Sequence, residues 1–196
     1  MKGLISLLII SFLCSCSNES YFKEGLEEYQ KGNFEDAIEL FTKEIEINPS
    51  NENAYYERGN SKYALNDFYG ALQDIDKALE IKNHPAFLNS RSAINSRLGD
   101  YESAIDDASK AIGLKQDYTE AYINRAGAYG MLNLNRQAII DYSLALELDP
   151  NNIVALLNRG VAYQKLNEME KACKDWASAA DLGETNSMVF YKNYCD

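Results

Sequence analysis

Apolar residues recur at three- and four-residue intervals along most of the chain, in runs of three to four turns separated by short polar stretches. This spacing predicts a succession of amphipathic helices. The pattern also repeats at long range. Ala37, Ala71, Ala104, Ala138 and Ala172 follow one another at intervals of 34, 33, 34 and 34 residues. Four residues after each comes Phe41, Ile75, Ala108, Tyr142 or Trp176. A fixed period of this length indicates stacked copies of one supersecondary unit, not a single closed core.

Each copy contains two helical runs. Between them lies one position held by Gly32, Asn66, Gly99, Asn133 and Asn167. Glycine and asparagine adopt the left-handed backbone most readily, which is how helices commonly end. Each copy is therefore helix A, a tight turn and helix B. The small alanine lets the two helices approach, and the residue four positions on lies one turn further along the same face. Pro49 and Pro150 fall just after helix B, where proline stops a helix at little cost. The single short interval coincides with Lys82-Asn83-His84-Pro85.

In repeat four the pattern reads Tyr122, Arg125-Ala126, Tyr129, Ala138, Tyr142, Pro150, and in repeat five Leu156, Arg159-Gly160, Tyr163, Ala172, Trp176. Repeat two keeps Tyr55, Arg58-Gly59, Ala71 and Ile75. Repeat one keeps Tyr21, Gly25, Ala37, Phe41 and Pro49, with Glu24 and Glu28 at positions that are usually apolar or aromatic. Repeat three is the most degenerate, with Ser92, Asn95 and Ala108 replacing glycine, tyrosine and the aromatic. This series resembles the tetratricopeptide repeat over residues 18 to about 186. The resemblance implies an all-α, right-handed α-solenoid of five helix-turn-helix repeats (about 18–51, 52–84, 85–118, 119–152 and 153–186), read as one domain. It also implies that helix A lines the concave side. By phase, that groove takes Tyr56, Asn60 and Tyr63 from repeat two, and Asn89, Ser90 and Arg97 from repeat three. Repeat four adds Ile123, Asn124 and Met131; repeat five adds Asn158, Val161, Gln164 and Lys165. Asn124 and Asn158 are equivalent and resemble the asparagine ladder of peptide-binding members, since an amide both donates and accepts. The alternative is a solvated polar face.

A second column pattern concerns charge. Arg58, Arg91, Arg125 and Arg159 share one place in helix A; Asp74, Asp107, Asp141 and Asp175 share one place in helix B. Repeat one has neither, carrying Glu24 and Leu40 there. Joint presence and joint absence predict contact, each arginine holding the aspartate of its own repeat bidentately. The reading is structural. An arginine row capturing an acidic ligand is the alternative, which the paired aspartates would neutralise.

At the N-terminus, Met1-Lys2-Gly3 precedes an apolar run from Leu4 to Leu13, too short to span a bilayer and suited to a secretory signal over 1–15. The run ends Leu13-Cys14-Ser15-Cys16, which resembles a bacterial lipobox with Cys16 as the acylated residue. Ordinary cleavage and an uncleaved anchor are the alternatives. The resemblance implies a multiply acylated, stable membrane anchor, followed by a short tether over 16–20. Ser17 after the cysteine points to the outer membrane under a sorting rule that holds in some bacteria.

At the other end, 187–196 reads as a capping segment. Residues 187–194 are predicted to form a helix with Met188, Phe190, Tyr191 and Tyr194 on one face, covering helix B of repeat five, since solenoids need their last apolar face shielded. That cover brings Cys195 near Cys173, and an oxidising envelope favours a disulfide over two free thiols.

Net charge is −11, which argues against nucleic acid and against docking on anionic lipid by charge. The single histidine, His84, reads as a solvated loop residue. No Gly-rich phosphate loop and no Cys/His metal spacing occurs, so no catalytic site, metal or cofactor is expected. The sequence therefore points to a non-enzymatic, lipid-anchored envelope protein whose groove binds a protein or peptide partner. The alternative is a structural subunit of an outer-membrane assembly or secretion complex.

Overall fold

The computed structural model describes residues 18–195. The signal segment, the lipobox and Cys16 lie outside the described residues. Eleven helices and no strands make up the described chain. They are α1 (Asn18–Lys31), α2 (Phe34–Ile47), α3 (Glu52–Ala64), α4 (Phe68–Ile81), α5 (Pro85–Leu98), α6 (Tyr101–Leu114), α7 (Thr119–Met131), α8 (Asn135–Leu148), α9 (Ile153–Lys165), α10 (Met169–Asp181) and α11 (Thr185–Tyr194). The chain divides into two compact units between Ile81 and Lys82. The first holds α1–α4 and the second α5–α11.

Within each unit the helices are antiparallel hairpins stacked in chain order. The turn positions carry the geometry: Gly32, Asn66, Gly99, Asn133 and Asn167 all have positive φ, between 60° and 85°. Gly183, at φ 94°, ends α10 in the same way. The five period-marking alanines are all fully buried. Where helix A crosses helix B, volume is exchanged between the two. Gly25, Gly59 and Gly160 face Phe41, Ile75 and Trp176 so closely that a Cβ on any of the three would stand within 3.0 Å of that side chain. Repeat three, with the small Ala108, has Ser92 in the glycine column; Ser92 is fully buried and donates to the Ala104 carbonyl at 2.7 Å. Its missing bulk is placed elsewhere. Phe87, 3% exposed, stands where repeats two, four and five have Ala54, Ala121 and Ala155. The degeneracy of repeat three is thus a redistribution of core volume, which close-packed interiors require.

His84 is not a free loop residue. Its Nδ1 accepts from the Ala86 amide at 3.3 Å and caps α5, with Pro85 at the first helical position and its ring 5.0 Å from that of Phe87. Asn51, Asp100 and Asn152 cap α3, α6 and α9 through their side-chain oxygens.

Helix α11 covers α10. The Phe190 ring stacks on Trp176 at 5.2 Å, and Tyr194 lies 5.9 Å from it. Trp176 is fully buried and donates its indole N–H to the Leu157 carbonyl at 3.2 Å. The face α11 turns inward differs from the sequence expectation. Met188 and Tyr194 are 47% and 53% exposed, whereas Ser187 is fully buried. The reason is register. A full 34-residue period after Ile153 would open this helix at 187, yet it opens at Thr185. Ser187, Phe190 and Tyr191 therefore form the inward stripe. The Cα atoms of Cys173 and Cys195 stand 5.7 Å apart, and the structure joins the two sulfurs.

Candidate functional site

The charged columns form a ladder. Arg58 donates through Nε and Nη2 to both oxygens of Asp74 at 2.9 and 2.6 Å. Arg91–Asp107, Arg125–Asp141 and Arg159–Asp175 repeat this fork at 2.7–2.9 Å. All four aspartates are 3–4% exposed. Lys62 adds a third cationic contact to Asp74 at 2.7 Å, and the Asn95 amide donates to Asp107 at 3.1 Å. The aspartates hold the guanidinium protons of Arg125 and Arg159 still more firmly than usual, mainly by hydrogen bonding. The remaining Nη1 reaches back to the preceding repeat. Arg58 donates to Thr42, Arg125 to Ser109 and Arg159 to Ser143, at 3.0–3.1 Å. Each hydroxyl in turn donates to the carbonyl one helical turn back. Sequence reasoning missed these hydroxyls, although Thr42, Ser109 and Ser143 share a column. With Nε and Nη2 of each arginine held by a buried aspartate of its own repeat, the row is already neutralised and does not favour an acidic ligand.

The opening suited to a ligand lies in the second unit. A cavity of about 460 Å3 is walled by the helix A faces of repeats three to five and the starts of α6 and α8. Its apolar wall includes Ile123, Met131, Val154 and Val161, with Tyr101 and Tyr142 behind them. Met131 and Val154 are 60% and 52% exposed. Tyr142 is 4% exposed, and burial pushes its phenol far above the usual range, so it stays neutral. Of the groove residues expected from sequence, Ile123, Asn124, Met131, Asn158, Val161 and Lys165 line this cavity. Asn89, Ser90, Arg97 and Gln164 are not wall residues, and Tyr56, Asn60 and Tyr63 belong to the first unit.

The two asparagines differ. The Asn124 amide donates to Asn89 Oδ1 at 2.9 Å, so its donor is already engaged. Asn158 is half-buried in the cavity wall and makes no side-chain hydrogen bond to the described residues. Lys165 stands exposed at the rim, 3.4 Å from the Gly130 carbonyl. Ser96 Oγ and Asn135 Oδ1 are covered in the same wall without a protein partner, a cost that a rigid apolar cavity would not carry. The site therefore offers apolar surface, one open amide and a cation at the edge. Such convergence of few polar groups on an apolar concavity is typical of a binding site. Among the described residues no group of His, Cys, Asp and Glu gathers at metal-binding distance.

Comparison with known proteins agrees with the repeat architecture. Family models described as "TPR repeat" and "Tetratricopeptide repeat" match residues 25–66, and 86–118, 119–152 and 142–174, respectively. Tetratricopeptide repeat protein 6 of Homo sapiens is 31% identical over 116 residues, which is 57% of this chain and 22% of that protein. DnaJ homolog subfamily C member 7 of Mus musculus is 26% identical over 59% of this chain and 27% of its own length. The chain thus spans about a quarter of these curated relatives. Among solved structures, that of Pseudomonas aeruginosa pilF superposes with TM-score 0.80 at 21% identity, covering 88% of this chain and 80% of that one. MamA gives 0.74 at 21% identity over 88% and 94%. YrrB, described as a TPR protein with an unusual peptide-binding site, gives 0.71 at 21% identity over 88% and 90%.

Proposed function

Since the chain belongs to the tetratricopeptide-repeat family, we propose that it is a non-catalytic scaffold binding a protein or peptide partner through the cavity of its second unit, while tethered to a bacterial envelope membrane by lipid on Cys16. The observation that carries the binding reading is the open Asn158 amide within the apolar wall of Ile123, Met131, Val154 and Val161. An apolar side chain of the partner enters the cavity, and Asn158 takes a polar group of the partner backbone. The peptide-binding site named for YrrB supports a ligand of this class. The lipobox-like Leu13 to Cys16 supports the tether. Anchoring confines partner and scaffold to one surface and raises their effective concentration. A permanent place in an envelope assembly is the second reading, favoured by the exposure of Met188 and Val189, 47% and 57%, side by side on α11.

A photocrosslinking amino acid placed at Val161 or at Val189 in cells separates the two. The groove reading expects a discrete adduct from Val161 that disappears with Asn158→Ala plus Ile123→Glu. An adduct from Val189 alone would favour the assembly reading, and adducts from neither position would overturn both. For the tether, a fatty-acid analogue should label the wild type and not Cys16→Ala; a labelled variant would sink it.

A further inference from the structure

The helix A columns that build the second unit's cavity carry different chemistry in the first unit. The position before the paired arginine is Glu57 in repeat two, against Ser90, Asn124 and Asn158. Another column has Tyr29 and Tyr63 where repeats three to five have Ser96, Gly130 and Gln164. Tyr56, Asn60 and Tyr63 follow at four- and three-residue spacing on one face of α3, and Glu57 borders that stripe. Tyr29 comes from α1, which packs on α3. Tyr29 and Tyr63 each stand edge-on to a phenylalanine, Phe34 and Phe68, at 5.4 Å.

Glu57 is half-buried, and among the described residues its only hydrogen-bond donor is the Asn60 amide at 3.5 Å. The cations of its own helix are committed elsewhere: Arg58 to Asp74 and Thr42, and Lys62 to Asp74 at 2.7 Å. Burying a charge is costly unless it is paired. Loss of water accordingly raises the Glu57 carboxyl above its usual range, and no cation lowers it. The Tyr29 phenol is raised as well, by burial first and then by the nearby Glu57 and Tyr56. A half-dried carboxylate within electrostatic reach of Tyr29, with Tyr56 beside it in the chain, matches a cation that is easily desolvated and that ring faces can flank.

We propose that the α1–α3 face of the first unit is a docking site for a basic side chain of a partner peptide, the arginine guanidinium or lysine ammonium being taken by Glu57 and flanked by Tyr29 and Tyr56. This site is separate from the second unit's cavity and carries its own specificity.

The test uses the full chain with 13C-labelled tyrosine, Tyr29 and Tyr56 being assigned by single phenylalanine variants. The probes are blocked Gly-Arg-Gly, Gly-Lys-Gly and Gly-citrulline-Gly peptides, the last replacing the guanidinium with a neutral urea of the same shape. Expected are saturable shifts of both tyrosines with the arginine and lysine peptides, and at least about tenfold weaker binding of the citrulline peptide. Glu57→Gln should reduce the arginine peptide to the citrulline level, whereas Glu147→Gln, an exposed carboxylate on α8 outside both sites, should leave it unchanged. Equal binding of arginine and citrulline peptides, or an unchanged affinity in Glu57→Gln, overturns the proposal. So does unfolding of Glu57→Gln, which would mean that the carboxylate already has a structural partner. The Val161 crosslink reads the other unit and stands or falls separately.

Discussion

Gly160→Ala and Gly127→Ala make the same chemical change in adjacent repeats and are expected to act in opposite directions. Both glycines sit inside a helix, where alanine is favoured by about 1 kcal/mol. At Gly127 the new methyl meets only the Tyr142 hydroxyl at 3.9 Å, an ordinary contact. Most of the propensity gain should survive, making this variant up to about 1 kcal/mol more stable. At Gly160 the methyl would stand 2.6 Å from Trp176 Cδ1 and closer still to its Nε1. The indole must move by about an ångström, and it is pinned. Its N–H is held by the Leu157 carbonyl at 3.2 Å and its ring by Phe190 at 5.2 Å. Overpacking costs roughly 1–3 kcal/mol and the strained hydrogen bond about 1 more. Less the propensity gain, Gly160→Ala should be destabilised by about 1–3 kcal/mol. Trp176 is the only tryptophan of the chain, so its fluorescence reports this repeat directly. Urea unfolding followed at that signal should lower the midpoint for Gly160→Ala, while far-ultraviolet dichroism should raise it for Gly127→Ala. A Gly160→Ala midpoint at or above wild type would refute the argument that Gly160 is required for close approach to the indole.

Arg125→Ala strands Asp141, 3% exposed, without its forked partner; a loss of about 3–5 kcal/mol is expected in urea unfolding, and less than 1 would show that the buried pair is dispensable. Truncation after Gly183 removes the Phe190 stack, so Trp176 emission should shift to the red and the protein should aggregate; an unchanged spectrum would remove α11 from the role of cover. In exported protein, Cys173 and Cys195 should resist alkylation until a reductant is added, and two reactive thiols at the outset would argue against the bridge. Glu57 has a folded pKa raised above its usual 4.5; its favourable contribution is therefore present below pH 4.5 and lost as pH rises through the raised value. Glu57→Gln should consequently exceed wild type in stability at pH 7 and lose that advantage below pH 4.5, and an equal gap at both pH values would contradict the desolvation argument.

The repeat architecture was legible because its determinants are local and recur. One column tolerates only the two residues suited to positive φ, and another only alanine, so five copies average out the noise of any single one. What escaped sequence reasoning depends on register and on partners outside the column pattern. Asn124 looks equivalent to Asn158, but its amide is engaged by Asn89, one column over in the preceding repeat. Met188 looks inward-facing until α11 is seen to start two residues earlier than the period allows. Ala108 looks like decay of repeat three, yet Phe87 supplies bulk from helix A. The cavity itself needed three consecutive A helices to be placed side by side before Val154 and Tyr101 could join the residues expected from phase.

At three joints, Thr42–Arg58, Ser109–Arg125 and Ser143–Arg159, the arginine that reaches back to a hydroxyl gives the stack a polarity, with a plug on helix A and a socket on helix B. Repeat one offers the socket Thr42 but carries Glu24 where the plug would be, and repeat five inserts the plug Arg159 but presents Ala177 where the next socket would fall. The series is thus lettered at both ends. A duplicated repeat four, which carries both Arg125 and Ser143, would bring both halves of the joint and lengthen the array without new chemistry. A copy appended after Ala177 would meet no hydroxyl and would have to displace α11 to find a seat.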